Sequence, residues 1–197
     1  VEREAEYISS VNTDNYMGAL QATSLLIRDK CDILIHINVN VNKSAPAYDR
    51  IWAFQATCEE YHVPYDIDLS VKGASYHELL DVIREIFNKI ESKYPDQKKG
   101  IFLANDTYAN MFLNLIFQKY GTFPSTYEIV GFDNSPIASE AILPITTIGQ
   151  QIDVIAKTAM DLLVQQMEEQ KKRVPKPLGE PIHKQITPIL IRRNTTE

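Results

Sequence analysis

Two short apolar segments, each followed at once by a pair of polar residues, constrain the fold of this chain most strongly. Residues 101–104 run into Asn105-Asp106, and residues 129–132 run into Asp133-Asn134. An unbroken apolar run of this length is typical of a strand that is buried on both faces. The two segments therefore predict strands of a parallel sheet, and the polar pairs mark the carboxyl ends of those strands.

The carboxyl ends of these strands predict a binding cleft. In open α/β sheets, ligands bind beyond the carboxyl ends of the parallel strands, and amide and carboxylate side chains can hydrogen-bond the hydroxyl groups of a small molecule. We hypothesise that Asn105, Asp106, Asp133 and Asn134 line such a cleft. The same residue types also cap helices and form turns, and one residue of a pair can cap a helix while its neighbour faces a ligand.

Strands and helices alternate along most of the chain. Residues 31–41 alternate between apolar and polar side chains, which is typical of a strand, and residues 76–93 carry apolar side chains at helical spacing. Further strands are predicted at 6–11, 64–69, 100–104 and 128–132, and further helices at 16–28, 48–61, 107–120 and 152–170. This regular alternation predicts βαβ units and an α/β fold with a parallel sheet.

Three features near the end of the chain suggest how it packs. The spacing of apolar residues in the helix at 152–170 predicts an inward face formed by Ile152, Ile155, Ala159, Leu162 and Leu163. Residues 174–179 contain two prolines and are predicted to form an exposed connection. A final strand at 184–192 is interrupted by Pro188, which favours a sheet edge or a bulge.

The composition argues against several classes of function. A net charge of −6 on 197 residues argues against nucleic-acid binding by this chain itself, because phosphate binding requires a basic face. No apolar run approaches the roughly 20 residues that span a bilayer, so we expect no membrane contact and a cytoplasmic location. The two cysteines and four histidines lack the spacing of a metal site, and we assign neither a metal nor a cofactor.

The sequence contains no recognisable catalytic motif. It has no Gly-x-Ser-x-Gly and no His-Glu metal pair, and its seven glycines leave little material for a phosphate-binding loop. Asp66 and Asp68 have the spacing of a carboxylate pair, but nothing else in the sequence supports catalysis. We therefore expect binding without chemistry and assign no catalytic residue.

Five motifs give the chain a family resemblance. They are Asp14-Asn15-Tyr16-x-Gly18-Ala19, Ala104-Asn105-Asp106-x-x-Ala109, residues 128–136, Pro144-x-Thr146-Thr147-Ile148-x-Gln150 and Ile191-Arg192-Arg193-x-Thr195-Thr196. With these motifs in this order, the chain resembles the ligand-binding region of the LacI/GalR family of bacterial transcription regulators. That region has the fold of the type I periplasmic sugar-binding proteins, whose three-layer lobes are built on parallel sheets.

The resemblance implies one complete lobe and one partial lobe. Residues 31–147 would form the complete C-terminal lobe. Residues 1–30 would add a strand and a helix, and residues 148–197 a helix and a strand, to a partial N-terminal lobe. In this family the lobes close on a small effector, usually a sugar or a sugar derivative, and closure reaches DNA through an N-terminal helical module. That module is absent from this chain, so we expect a fragment, and the family also implies a homodimer.

The resemblance also implies which residues meet the effector. The implied effector-site residues are Asp14, Arg50, Asn105, Asp106, Asp133, Asn134 and Gln150, of which Asp106 and Asn134 would support or join the other five. By position alone, Arg50 begins a helix and could equally be a solvated charge. Two departures from the family pattern mark a divergent member. Ala53 replaces the glycine that is common three residues after this arginine, and residues 28–32 replace the usual Gly-His-basic turn before the second strand.

Alternatives remain open for the aromatic residues and for the function. Trp52, Phe54 and Tyr76 could stack on a sugar ring or belong to the core, because aromatic residues at helical spacing do either. A chain of this fold could also be an exported solute-binding protein that delivers its ligand to a transporter. A third possibility is an enzyme acting on a sugar or a nucleoside.

Overall fold

The computed structural model describes residues 8–39, 46–71, 75–171 and 179–197. The alternation of strands and helices predicted from the sequence is confirmed. In chain order, the elements are β1 (Ser10–Thr13), α1 (Asn15–Arg28), β2 (Ile33–Val39), α2 (Pro46–Glu60), β3 (Tyr65–Val71), α3 (Tyr76–Lys93), β4 (Lys99–Leu103), α4 (Asp106–Tyr120), β5 (Tyr127–Asp133), α5 (Pro136–Glu140), β6 (Thr146–Gly149), α6 (Ile152–Gln170), β7 (His183–Ile186) and β8 (Ile189–Ile191). The predicted strand positions 6, 7, 40 and 41 and most of the predicted connection at 174–179 lie outside the described residues.

A six-stranded sheet organises the larger lobe. Its strand order is β3-β2-β4-β5-β6-β8, and every neighbouring pair is parallel except β6 and β8. The parallel strands are joined by helices, as right-handed βαβ crossovers require. All these strands therefore present their carboxyl ends along one edge of the sheet, where the two polar pairs lie.

Helices cover both faces of this sheet. Along β4, Ile101 and Leu103 pack on one face with α3 and α4, whereas Phe102 packs on the other face with α1 and α2. Residues 101–103 of the strand are apolar on both sides because neither face of the sheet meets water there. Each fully buried side chain of this size contributes about 1.5–3 kcal/mol relative to exposure. The predicted three-layer arrangement is thus confirmed.

A second, two-stranded sheet forms the core of the smaller lobe. Here β1 pairs in parallel with β7, and α6 packs beside β1. A cavity of about 390 Å³ opens between these elements, lined by residues that include Val11 and Leu162. Leu162 is buried and Ile155 is partly buried, but Ile152 is 59% exposed, Leu163 is 49% exposed and Ala159 is also exposed. The predicted inward face is therefore wrong at these last three positions. The two described strands are too narrow to cover a helix of this length.

The chain passes between the two sheets three times, from β1 to β2, from β6 to β7 and from β7 to β8. Helix α1, predicted within the N-terminal piece at 1–30, packs on the larger sheet, where Ala19 and Ala22 share a core with Phe102. A Cβ on Gly18 would lie 2.8 Å from the ring of Phe132, so the absence of a side chain at this position lets the helix approach closely. The connections between the elements of the two sheets therefore lie near residues 13–14, 149–151 and 187–188. Apolar spacing along a helix does not reveal which sheet the helix covers.

The predicted final strand at 184–192 is two strands in two different sheets. β7 ends at Ile186 and β8 begins at Ile189, so the chain changes lobes at Thr187 and Pro188. Pro188 has no backbone N–H to donate to a ladder. The carbonyl oxygens at this point accept side-chain hydrogen bonds instead, Thr187 O from Gln151 and Pro188 O from Gln21. The edge position favoured by the proline is confirmed, because β8 is an edge strand.

The residues after β8 attach to the larger lobe through threonines. Thr195 Oγ1 accepts from the backbone N–H of Thr146 and donates to the carbonyl of Ile129. The hydroxyl of Thr196 bonds that of Thr146 at 2.8 Å. Thr146 and the Thr195-Thr196 pair therefore satisfy one another's polar groups. Residues 189–196 therefore complete the larger lobe, whereas the sequence-based division placed them in the smaller one.

His36 is a neutral histidine in the apolar core. Its ring stacks on Phe102 at a centroid distance of 4.5 Å, and Nδ1 lies 2.9 Å from the carbonyl oxygen of Phe102. Because that oxygen can only accept, Nδ1 carries the proton and Nε2 accepts from Asn38 at 2.9 Å. Burial lowers the pKa of His36 from 6.5 to about 3, with the charge of Arg50 acting in the same direction.

We predict that His36 makes the protein less stable at mildly acidic pH. Below about pH 6.5 the His36 ring is protonated in the unfolded state, whereas in the folded state it stays neutral until about pH 3. Acidification from about pH 7.5 to about pH 5.5 should lower the free energy of unfolding by roughly 1 kcal/mol more in wild type than in His36→Gln. Urea unfolding at the two pH values measures this difference, and equal pH dependence in the two proteins contradicts it.

Candidate functional site

The candidate site lies where the carboxyl ends of β4, β5 and β6 meet the start of α1 and the first turns of α2. The five residues expected to contact an effector are linked through one another or through immediate neighbours. Arg50 contacts Asn15, Ala104 and Phe132, which adjoin Asp14, Asn105 and Asp133 respectively, and Gln150 contacts Asp133 directly. The sheet topology brings together residues that are up to 136 positions apart, from Asp14 to Gln150.

Arg50 is held by three neighbouring segments. Its Nε donates to Asn15 Oδ1 at 2.8 Å, and Nη1 donates to the carbonyl oxygen of Ala104 at 2.6 Å. The guanidinium carbon lies 3.5 Å from the centre of the Phe132 ring, a cation–π contact. Arg50 is therefore tied into the structure beside the other candidate residues and is not the solvated surface charge that its sequence position also allowed.

Gln150 joins the two lobes beside Asp133. Its Nε2 donates to Asp133 Oδ1 at 2.7 Å, and its Oε1 accepts from the hydroxyl of Thr13 at 2.6 Å. Thr13 is the last residue of β1 in the smaller lobe, and Asp133 is the last residue of β5 in the larger one. One amide thus spans the connection between the lobes.

The backbone at Asp133 and Asn134 has an uncommon conformation. Their φ angles are +104° and +54°, a region that residues other than glycine rarely adopt. Holding such residues costs on the order of 1–3 kcal/mol, and strain of this kind concentrates at functional sites. The conformation turns the chain sharply after β5 and leaves the Asp133 side chain against Gln150.

Asp14 and Asn105 are helix caps as well as candidate contacts. Asp14 Oδ1 accepts from the N–H of Met17 at the start of α1, and Asn105 Oδ1 accepts from the N–H of Tyr108 at the start of α4, both at 2.9 Å. Each satisfies one of the free N–H groups of a helix end. The capping interpretation that the sequence left open for Asn105 is therefore correct, and Asp14 caps α1 in the same way. Capping is compatible with a second role for each residue.

Asp106 lies beneath the site. It is 1% exposed, and its carboxylate accepts from the N–H and hydroxyl of Ser135 and from the hydroxyl of Thr147. The pKa of Asp106 is raised overall, mainly by burial and further by the charge of Asp133. The hydrogen bonds from Thr147 and Ser135 act in the opposite direction. A side chain at Gly131 would overlap Asp106 Oδ1, so this position requires glycine. The resemblance implied that Asp106 either supports the effector contacts or joins them, and this buried geometry fits the supporting role.

Asn134 is also tied to a supporting contact. Its Oδ1 accepts from Arg193 Nη2 at 2.6 Å, and Arg193 Nη1 donates to the carbonyl of Ile145. The arginine that follows β8 thus fastens the turn after β5. This long-range contact gives Arg193, the second arginine of the last sequence motif, a structural role.

The aromatic candidates separate into core and surface. Phe54 is fully buried beside His36 and belongs to the core. Trp52 is 57% exposed, and its ring meets Tyr16 edge-on at 5.3 Å, one residue from Asn15. Tyr76 is exposed at the start of α3. Sequence reasoning missed Phe132 and Asn15, although both lie within the motifs that carry the resemblance.

Two further findings concern metals and membranes. Within the described ranges, no group of three or more His, Cys, Asp or Glu side chains could hold a metal ion. None of the helices that the structure describes is both long and apolar enough to cross a bilayer.

Sequence relatives of this chain include sugar-operon repressors. A ribose operon repressor of Halalkalibacterium halodurans is 27% identical over 190 residues, which are 96% of this chain and 53% of the relative. The ribose operon repressor of Escherichia coli K12 is 24% identical over 186 residues, 94% of this chain and 52% of the relative. The chain thus spans about half the length of these relatives.

Solved structures share the fold along the whole chain. A LacI family transcriptional regulator from Enterococcus faecium with bound ribose has a TM-score of 0.78 at 19% identity, covering 99% of this chain and 68% of that one. A periplasmic binding protein/LacI transcriptional regulator from Alkaliphilus metalliredigens, complexed with D-xylulofuranose, also has a TM-score of 0.78, at 22% identity, covering 100% of this chain and 68% of that one. The family model of the periplasmic binding protein-like domain matches residues 25–196. The chain therefore belongs to the periplasmic binding protein-like domain family, and its resemblance to the sensor region of LacI/GalR regulators is confirmed.

Proposed function

We propose that this chain is the sugar-sensing part of a bacterial transcription regulator. The observation that carries the proposal is the linked set of Arg50, Asp133 and Gln150 at the connection between two lobes. A ligand placed against these groups would touch the ends of both sheets at once. The ribose and sucrose operon repressors among the relatives support the same assignment.

The chemistry of the site favours a neutral, hydroxyl-rich ligand. Asp14, Asn105, Asp133 and Gln150 supply carboxylate and amide oxygens that accept hydrogen bonds from sugar hydroxyls. Arg50 is a fork of donors that can bind two neighbouring hydroxyl oxygens. The candidate residues include two carboxylates, Asp14 and Asp133, and one guanidinium, Arg50, so the phosphate of a phosphorylated sugar would meet more repulsion than attraction. We therefore propose an unphosphorylated sugar as the effector, bound without turnover.

The mechanism follows from where the ligand would sit. A sugar that contacts both lobes binds the closed arrangement more tightly than the open one and shifts the population toward closure. Gln150 and Thr13 lie at two of the three connections between the lobes, so they would move as the lobes close. In the whole protein, closure would alter a DNA-binding module outside this chain, acting in the cytoplasm as a homodimer. An exported solute-binding protein remains the alternative on the same fold.

Calorimetric titration of the whole regulator tests the proposal directly. We expect D-ribose, or another sugar of a panel that includes cellobiose, lactose and sucrose, to bind and to be recovered chemically unchanged. Ribose 5-phosphate should bind at least tenfold more weakly than D-ribose if D-ribose is the effector. Absence of binding by every sugar, or conversion of the bound sugar, contradicts the proposal. A signal peptide in place of a helix-turn-helix at the start of the gene would favour the exported binding protein.

We predict that Asp133→Asn weakens sugar binding by about tenfold, because a charge-assisted hydrogen bond contributes about 1.5–3 kcal/mol. Asparagine tolerates the positive φ at this position and can still accept from Gln150. The apo melting temperature should therefore remain close to that of wild type. Asn105→Ser is the companion variant, since serine preserves the cap of α4 while removing the amide. It should weaken binding a few fold, and wild-type titration curves for both variants would place the cleft elsewhere.

Substitution of Asp106 should lower the stability of the fold, in contrast to substitution of Asp133 or Asn105. We predict that Asp106→Ala lowers the free energy of unfolding by about 2–4 kcal/mol, because it leaves Ser135 and Thr147 donors without their buried acceptor. Asp106→Asn retains one acceptor oxygen and should lose less. Urea unfolding measures both changes. A variant that keeps wild-type stability but loses sugar binding would show that Asp106 contacts the ligand.

A further inference from the structure

We propose that Asn15 is a positioning residue for Arg50. Its side chain holds the guanidinium in the orientation that meets the sugar and ties it to the backbone at the first connection between the lobes. The sugar-binding consequence of this inference rests on the proposed function, whereas the contact between Asn15 and Arg50 can be tested without any ligand.

Two hydrogen bonds of Asn15, to Thr13 and Arg50, fix which way its amide points. The side chain is 3% exposed. Nδ2 donates to the carbonyl oxygen of Thr13 at 3.1 Å, and Oδ1 accepts from Arg50 Nε at 2.8 Å. A carbonyl can only accept and a guanidinium can only donate. A flipped amide would therefore face both partners with the wrong group, so a single orientation of the side chain satisfies both.

The bond from Asn15 helps to fix the rotation of the Arg50 guanidinium. An arginine side chain carries about 2 kcal/mol of rotamer entropy. Phe132 contacts the face of the guanidinium at 3.5 Å and defines its plane, but a face contact leaves rotation within that plane free. The bonds to Asn15 and Ala104, on Nε and Nη1, remove that rotation. An arginine fixed in advance loses less entropy when a ligand binds.

Asn15 also bridges the two lobes. Thr13 is the last residue of β1 in the smaller lobe, and Asn15 is the first residue of α1 in the larger lobe. The hydroxyl of Thr13 bonds Gln150, while its carbonyl accepts from Asn15. Movement of the backbone at this connection would therefore be transmitted to Arg50 through one rigid amide. Asn15 acts on the ligand through Arg50 and needs no contact with the sugar itself.

Two substitutions separate the functions of the amide. Asn15→Ala removes both hydrogen bonds, whereas Asn15→Asp retains an acceptor for Arg50 and loses the donor to Thr13. With D-ribose as the probe, we expect Asn15→Ala to raise the dissociation constant about tenfold, comparable to one lost charge-assisted hydrogen bond. Asn15→Asp should bind within about threefold of wild type, because the aspartate still holds Nε.

A double-mutant cycle tests whether Asn15 acts through Arg50. Arg50→Lys should weaken binding, because lysine lacks the planar fork. Adding Asn15→Ala to Arg50→Lys should then change the affinity little, since the group that Asn15 positions is already gone. Losses that multiply in the double variant would overturn the proposal, as would Asn15→Ala with wild-type affinity.

A ligand-free measurement separates this inference from the proposed function. The exchange rate of the Arg50 Nε–H with water, followed by nuclear magnetic resonance, should rise at least severalfold in Asn15→Ala and stay near the wild-type rate in Asn15→Asp. An unchanged rate in Asn15→Ala overturns the inference whether or not a sugar binds. A raised rate with no binding of D-ribose or the other sugars supports the positioning contact and contradicts the sugar-sensing function.

Discussion

The carboxylate of Asp106 is the interaction on which the binding edge of the larger lobe depends. An ionised carboxylate removed from water is costly unless donors surround it, and here Ser135 and Thr147 supply three hydrogen bonds. These donors come from the turn after β5 and from β6, so one side chain at the start of α4 fixes the geometry of two neighbouring segments. The space for it exists because Gly131 has no side chain. The strained Asp133 is thereby held on a rigid support.

The connections between the lobes are joined by glutamine side chains. Gln150 links the first connection to the second through Thr13, and Gln151 links the second to the third through the carbonyl of Thr187. Gln21 reaches from α1 to the carbonyl of Pro188. Bonds made by flexible amides can reorient at lower cost than a packed apolar interface can be rebuilt. The lobes are thus connected by polar contacts suited to relative motion.

Local signals predicted much of this architecture, and contacts distant in sequence determined the rest. The bounds of α3 were predicted correctly, because Ser75 and Glu78 form a capping box at its start and its apolar spacing is regular. Asn105 and Asp133 could be grouped because parallel strands share one edge. The sequence could not show that Asn105 caps α4 while Asp106 is buried beneath it. The two residues are adjacent, and only the geometry at the start of the helix determines the direction in which each side chain points. The lobe assignment of α1, the division at Pro188 and the contacts of Asn15 all depend on partners that the sequence does not identify.

The threonine contacts after β8 affect the order in which the larger lobe can form during synthesis. Thr195 bonds Ile129 and Thr146, which the ribosome makes 66 and 49 residues earlier. Until β8 emerges, the edge of β6 lacks its hydrogen-bonding neighbour and stays open to pairing with other chains. The smaller lobe receives β7 just before this event, so both sheets gain their last described strands within the same short stretch of translation. Nascent chains of this protein therefore carry an open β6 edge from the synthesis of Gly149 until that of Ile189, and an unpaired edge of this kind is prone to aggregation.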